Sequence, residues 1–155
     1  MKNLCVLILT ALFSVSAVSC GTSMLRPALT LDKAGVIPFC LSPELTSLPY
    51  DSLRSDPFHI ESLSVIDNYL QVVFSYGGGC GDIKSNVYYN QLVKQSFPPQ
   101  LDLKMTLLDN DPCRAIVTDT LNICLNEFES MARGGGVVIG LAPSDIKLRY
   151  SLPLN

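Results

Sequence analysis

Four stretches of the chain alternate apolar and polar side chains with a period of two, and this pattern limits the possible folds more than any other feature. Leu70, Val72, Phe74 and Tyr76 interleave with Tyr69, Gln71, Val73 and Ser75. Leu101, Leu103, Met105 and Leu107 interleave with Asp102, Lys104 and Thr106. Leu121, Ile123 and Leu125 alternate with Asn122, Cys124 and Asn126, and Ile146, Leu148, Tyr150 and Leu152 with Lys147, Arg149 and Ser151. An extended backbone sends successive side chains to opposite faces, so each stretch offers one face to a core and the other to water. Shorter segments of similar character occupy 60–65, 83–89, 115–118 and 137–141. Turn-forming residues separate them: Asp67-Asn68, Gly77-Gly78-Gly79, Phe97-Pro98-Pro99, Asp109-Asn110-Asp111-Pro112 and Gly134-Gly135-Gly136. Seven to eight short strands with regular turns predict an all-β, antiparallel, immunoglobulin-like sandwich, with a small β-barrel as the alternative. Residues 126–133 are the one helix candidate, too short to organise a fold.

The first twenty residues belong to a different kind of segment. Lys2 supplies a positive start, residues 4–13 are apolar apart from Thr10, and small residues then lead to a cysteine, Ser16-Ala17-Val18-Ser19-Cys20. The apolar run is too short for a permanent span, which needs ~20 such residues. Ala17-Val18-Ser19 satisfies an ordinary signal-peptidase site, and the cysteine directly after it makes the stretch resemble a bacterial lipobox. Ala17 stands where leucine is usual. The expectation is a leader over 1–19 and a lipidated Cys20 carrying fatty acids such as palmitate. Each buried lipid methylene contributes ~0.8 kcal/mol, so two or three acyl chains hold firmly where one does not. Gly21, in place of an aspartate, implies delivery to the outer membrane.

Residues 20–57 read as a proline-rich tether, with Pro27, Pro38, Pro43, Pro49 and Pro57 interrupting any ladder. Apolar pieces such as Phe39-Cys40-Leu41 suit partial docking or an added edge strand. The domain proper is expected over 58–155. Its lysines and arginines are scattered singly and the formal net charge is −3. A nucleic-acid binder needs a concentrated positive face, so nucleic acid is excluded as a partner.

Phe74-Ser75-Tyr76-Gly77-Gly78-Gly79-Cys80-Gly81-Asp82, Ser96-Phe97-Pro98-Pro99-Gln100, and Asp109-Asn110-Asp111-Pro112-Cys113 together resemble the small β-sandwich of envelope lipoproteins, including the C-terminal domain of NigD-like proteins. The resemblance covers about residues 60–152. Family members often carry an acidic residue and a histidine after the first cysteine, where this chain has Gly81-Asp82-Ile83. The segment 21–57 is also too short for the extra N-terminal domain of the larger members. No enzymatic activity comes with the resemblance. Once Cys5 leaves and Cys20 is acylated, four cysteines remain and allow three full pairings. The resemblance implies a Cys80–Cys113 disulfide. Cys124 reaches Cys40 only if the tether docks beside it.

The catalytic and cofactor patterns in the chain all have plainer readings. The two glycine triplets lack the helix and the Lys-Ser/Thr that a phosphate loop needs, and tight turns explain them. His59 is the one histidine, placed at a strand start and not beside a free nucleophile. No zinc spacing exists. Asp109-Asn110-Asp111 offers oxygens to calcium, yet an Asx turn accounts for the same residues, and Pro112-Cys113 stand where a calcium loop continues. Glu127 and Glu129 fit a solvated loop. The expectation is therefore no enzyme, no cofactor and no metal: an envelope module that presents its loops or an edge strand to a protein. The alternative is a glycan- or small-ligand-binding module using Tyr76, Tyr88 or Tyr89 and the glycine loops.

Overall fold

In a computed structural model, residues 39–153 are described, together with two-residue strands β1 (Leu31–Asp32) and β2 (Gly35–Val36) that pair antiparallel. Cys20 and the leader lie outside the described residues. The remaining elements are β3 (Glu44–Leu45), a short 3-10 turn at Tyr50–Ser52, β4 (Phe58–Ile66), β5 (Tyr69–Gly78), β6 (Ile83–Tyr89), β7 (Gln100–Asp109), β8 (Ala115–Cys124), a second 3-10 turn at Asn126–Phe128, α1 (Glu129–Arg133), β9 (Val137–Ala142) and β10 (Lys147–Tyr150).

The strands form an all-β sandwich that does not close into a barrel. One sheet has the order β4-β5-β8 and the other β10-β9-β7-β6-β3. Most ladders are antiparallel, but β7 runs parallel to β9 and β3 parallel to β6. The β7–β9 pairing arises because the chain leaves for the other sheet as β8 and returns through α1, a crossover that parallel neighbours require.

The period-two side chains meet between the sheets. Leu70, Val72 and Phe74 of β5 and Ile123 of β8 face Leu101, Leu103, Met105 and Leu107 of β7 and Ile139 and Leu141 of β9. Each of these is at most 1% exposed, as the alternation predicts; the exceptions are Thr106, buried on the opposite face of β7, and Ile146, which precedes β10 and is 40% exposed. Residues 115–118 and 121–125 belong largely to one strand, β8, whose middle is solvent-facing. Leu125, Phe128 and Ala132 plug one end of the core. Tyr89 meets the Phe128 ring edge-on at 5.3 Å.

Residues 40–57 are fastened to the sandwich. Leu41 bridges β8 in parallel, its N–H donating to the Asn122 carbonyl and its own carbonyl accepting from the Cys124 N–H. Because Asn122 and Cys124 turn their backbone groups outward, the other even-numbered residues of β8 do too. From Ala115 to Thr120 no described strand covers that edge. Further along, Ser55 and Asp56 splint the late part of β7: the Asp56 N–H donates to the Leu107 carbonyl, and the Asp109 N–H to Asp56 Oδ2 at 2.8 Å.

Candidate functional site

The sandwich presents two different ends. At the end where β5 hands over to β6, and β7 to β8, two loops lie side by side. Cys80 and Cys113 are joined there by a disulfide, with Cα atoms 5.9 Å apart. Asp111 ties the same loops together through its carboxylate. Oδ2 accepts from the Cys80 N–H at 2.6 Å and the Gly81 N–H at 2.7 Å, while Oδ1 accepts from the Cys113 N–H at 2.8 Å. These amides, that of Cys113 foremost, hold the Asp111 carboxyl below the usual carboxylate range. Asp109 forms the expected Asx turn, accepting from the Asp111 N–H at 2.7 Å.

The glycines here have separate reasons. Gly79 adopts φ +113°, which side-chain-bearing residues avoid. Gly78 lets the loop pass close to its neighbours, since a Cβ there would meet the Tyr76 ring at 3.0 Å and Asp111 Oδ2 at 3.2 Å. Tyr76 stacks on Phe74 with centroids 5.9 Å apart. Partial burial, followed by the charges of Asp119, Asp109 and Asp111, raises its hydroxyl pKa. On the adjacent strand Ile116 is 85% exposed. The surface is thus acidic, stiff and marked by one protruding aliphatic side chain.

Cys80, Asp111 and Cys113 offer donor atoms within 4.8 Å of one another. Both sulfurs are committed to the disulfide, and both Asp111 oxygens receive amide hydrogens, so this donor set is occupied by the protein itself. A thiolate, the form that binds metal, is not what either cysteine presents.

At the opposite end, a second disulfide joins Cys40 to Cys124, with Cα atoms 5.2 Å apart. Tyr50 acts as a clasp: its hydroxyl donates to the Asp102 carbonyl at 2.7 Å and accepts from the Asn90 N–H at 3.1 Å. Burial is the main reason its pKa is raised. A cleft of about 510 Å³ lies over the outer face of the five-stranded sheet, lined by Tyr50, Asn90, Lys94, Asp102, Ser144 and Lys147 among others. Lys94 and Asp102 form an ion pair at 2.6 Å across its rim. An adjoining hollow of about 700 Å³ runs between residues 45–49 and 90–92 and brings Leu45, Leu48 and Leu92 together. Beside Phe128 sits a polar hub: Asn68 donates to Glu129 at 2.8 Å and also bonds Asn126 and the hydroxyl of the buried Tyr150.

The residues singled out from sequence scatter across this frame. The structure brings Cys80 and Cys113 together, and Cys40 and Cys124. His59 is exposed on β4, opposite Ser75. Tyr76 lies beside the glycine loop, whereas Tyr88 and Tyr89 lie at the far end of β6, five or six residues along a strand that rises ~3.3 Å per residue. The three tyrosines do not share a surface with the loops. Glu129 serves the Asn68 hub and accepts from Arg133 at 3.3 Å, more structural than a solvated loop implies. The roles of Tyr50 and Asn68, and the hold of Asp111 on the Cys80 and Gly81 amides, carry no sequence signal, because each depends on partners far along the chain.

Neither a family model nor a curated protein matches the chain. Solved structures similar to it include two from Bacteroides species. One is a protein of unknown function DUF1344 from Bacteroides vulgatus ATCC 8482, 18% identical, with a TM-score of 0.49, covering 75% of this chain and 59% of that one. The other is a NigD-like immunity protein from Bacteroides caccae ATCC 43185, 13% identical, with a TM-score of 0.51, covering 71% of this chain and 57% of that one. The chain therefore spans under two thirds of either. At such identity the likeness is one of fold, and it agrees with the resemblance to NigD-like proteins carried by the cysteine and turn motifs. Two disulfides fit an oxidising compartment outside the cytoplasm. Among the described residues no helix is long and apolar enough to cross a membrane.

Proposed function

We propose that the protein is a lipid-anchored, non-enzymatic module of the bacterial cell envelope that binds a protein partner through the loop pair joined by Cys80 and Cys113. The observation that carries this reading is the double fastening of that pair, by a disulfide and by Asp111 on amides of both loops. Loops held in one conformation lose little freedom on association, and most of the contact energy then appears as affinity. Ile116 provides an apolar anchor beside them, and the acidic surround of Asp109, Asp111 and Asp119 favours a basic counterpart. A role as an accessory or immunity-type protein is consistent with the description of the fold relative from Bacteroides caccae. Anchorage at Cys20 in the outer membrane is part of the proposal and rests on the leader alone.

The test is site-specific photo-crosslinking in cells that express the full chain. A photoreactive residue at Ile116 should give one discrete crosslinked partner, lost in the Cys80→Ser/Cys113→Ser variant. A partner crosslinked only from positions away from these loops, or none from Ile116, would reject the reading.

A second reading has its own support. The cleft of about 510 Å³ at Tyr50, Asn90, Lys94 and Asp102 falls in the size range of small-molecule sites. A glycan array and a small-metabolite thermal-shift screen would favour it if binding were abolished by Asp102→Ala.

A further inference from the structure

Of seven exposed large apolar side chains among the described residues, Ile116 and Ile146 stand apart and five are grouped. Leu45 ends β3 and Leu48 follows it, Leu92 follows β6 and Phe97 precedes β7. Phe39 adjoins the Cys40–Cys124 bridge at the end of β8. All five belong to one end of the sandwich. β6 ends where β5 begins, because the two strands are joined by a tight loop and lie in facing sheets. The ring contact of Tyr89 with Phe128 ties the ends of β6 and β8 together. Phe97 is 93% exposed, Leu92 76% and Phe39 72%. Two leucines of this set, Leu45 and Leu48, share the hollow of about 700 Å³ with Leu92. Apolar side chains gathered in this way mark a surface meant to be covered.

We infer that this end is seated on the lipid leaflet to which the chain is anchored. The inference rests on the anchor reading of Cys20 and adds to it the orientation of the domain. The chain is fastened to the sandwich at Cys40 and Leu41, inside the patch, so the tether from Cys20 attaches at this end. Eighteen residues separate Cys20 from Phe39, and even fully extended they reach no more than about 65 Å. Tethering of that length keeps the patch at high effective concentration over the bilayer, so a weak apolar affinity is enough to hold it there. Phenylalanine and leucine partition to the acyl boundary, while the flanking Glu44 and Asp51 stay at headgroup depth. The loop pair with Asp111 then faces away from the membrane, towards a partner.

The chain has no tryptophan, so a single introduced indole reports depth without background. The full chain, purified with its lipid and reconstituted into vesicles containing brominated phosphatidylcholine, should show blue-shifted and strongly quenched emission for Leu92→Trp and Phe97→Trp. Ile116→Trp, at the opposite end, should be neither shifted nor quenched. Adding Leu45→Asp and Leu48→Asp to the Phe97→Trp protein should remove most of its quenching. Protein that floats with the vesicles while Leu92→Trp and Phe97→Trp remain unquenched would overturn the orientation and leave the anchor standing, as would a blue shift that persists in detergent because two copies pair. Equal quenching at Ile116→Trp would overturn it too. A chain that lacks acyl mass and does not float would overturn the anchor and the orientation together.

Discussion

The two ends of this sandwich are held by different kinds of bond. At the Cys80–Cys113 end the loops are fastened to each other, and Asp111 reaches its amide partners across 30 and 31 residues. At the other end, the loops are fastened by what the N-terminal segment brings: Tyr50 lies 52 residues from Asp102, and Cys40 lies 84 from Cys124. The first end is closed upon itself and polar. The second depends on a long-range clasp and leaves apolar side chains uncovered. The contrast teaches that a segment rich in proline, which reads as a spacer, can be a structural part of the domain it leads into.

Four measurements sharpen or break this contrast. The largest effect is expected from Cys40→Ser/Cys124→Ser, which reopens a separation of 84 residues. The chain-entropy treatment gives a loss of about 4–5 kcal/mol, read as a shift in the urea midpoint. Cys80→Ser/Cys113→Ser, with a separation of 33, should cost about 3–4 kcal/mol. A larger loss from the second pair than from the first would reverse the comparison.

Tyr50→Phe removes one donor and one acceptor, leaving the Asn90 N–H and the Asp102 carbonyl without their partner. About 1–2 kcal/mol is expected in thermal unfolding, since the site is only partly buried. Amide exchange should accelerate at Asn90 and stay unchanged at Cys80 and Gly81; faster exchange at all three would mean that the ends are not independent.

The smallest effect belongs to Asp111→Asn and is a change in pH dependence. The Asp111 carboxyl titrates lower in the folded chain than in the unfolded one, chiefly because of the Cys113 and Cys80 amides. Its contribution to stability is therefore complete above the unfolded value and is lost as the pH falls through the folded one. Urea midpoints of the wild-type chain should decline below about pH 4, and this part of the decline should be absent in Asp111→Asn. Identical acid profiles would show that the amides do not discriminate between the two carboxyl states.

Much of the architecture was legible in the sequence. The stretch from Leu101 to Leu107 alternates cleanly because β7 sits at the centre of its sheet with one face on the core. β6 occupies residues 83–89, between two turn signals. What escaped was pairing between distant segments. Asp119 and Thr120 are exposed polar residues in mid-strand, so β8 reads as two shorter strands. The parallel ladder of β7 and β9 leaves no local mark, since register between parallel neighbours is settled by the connecting crossover. At the candidate site, Cys80 and Cys113 were visible through a motif. The role of Asp111 was half visible: its Asx turn is local, but its hold on the glycine loop is made in three dimensions.

One detail of β8 bears on how such molecules coexist at high density. Beyond Leu41, from Ala115 to Thr120, no described strand covers the edge of β8, and outward backbone groups of that kind are the condition for strand-by-strand polymerisation. Asp119 turns its Oδ1 onto the Thr120 N–H at 2.6 Å, taking up the donor that an incoming strand requires and placing a negative charge beside it. A charge in this position disfavours the addition of a further strand at that edge.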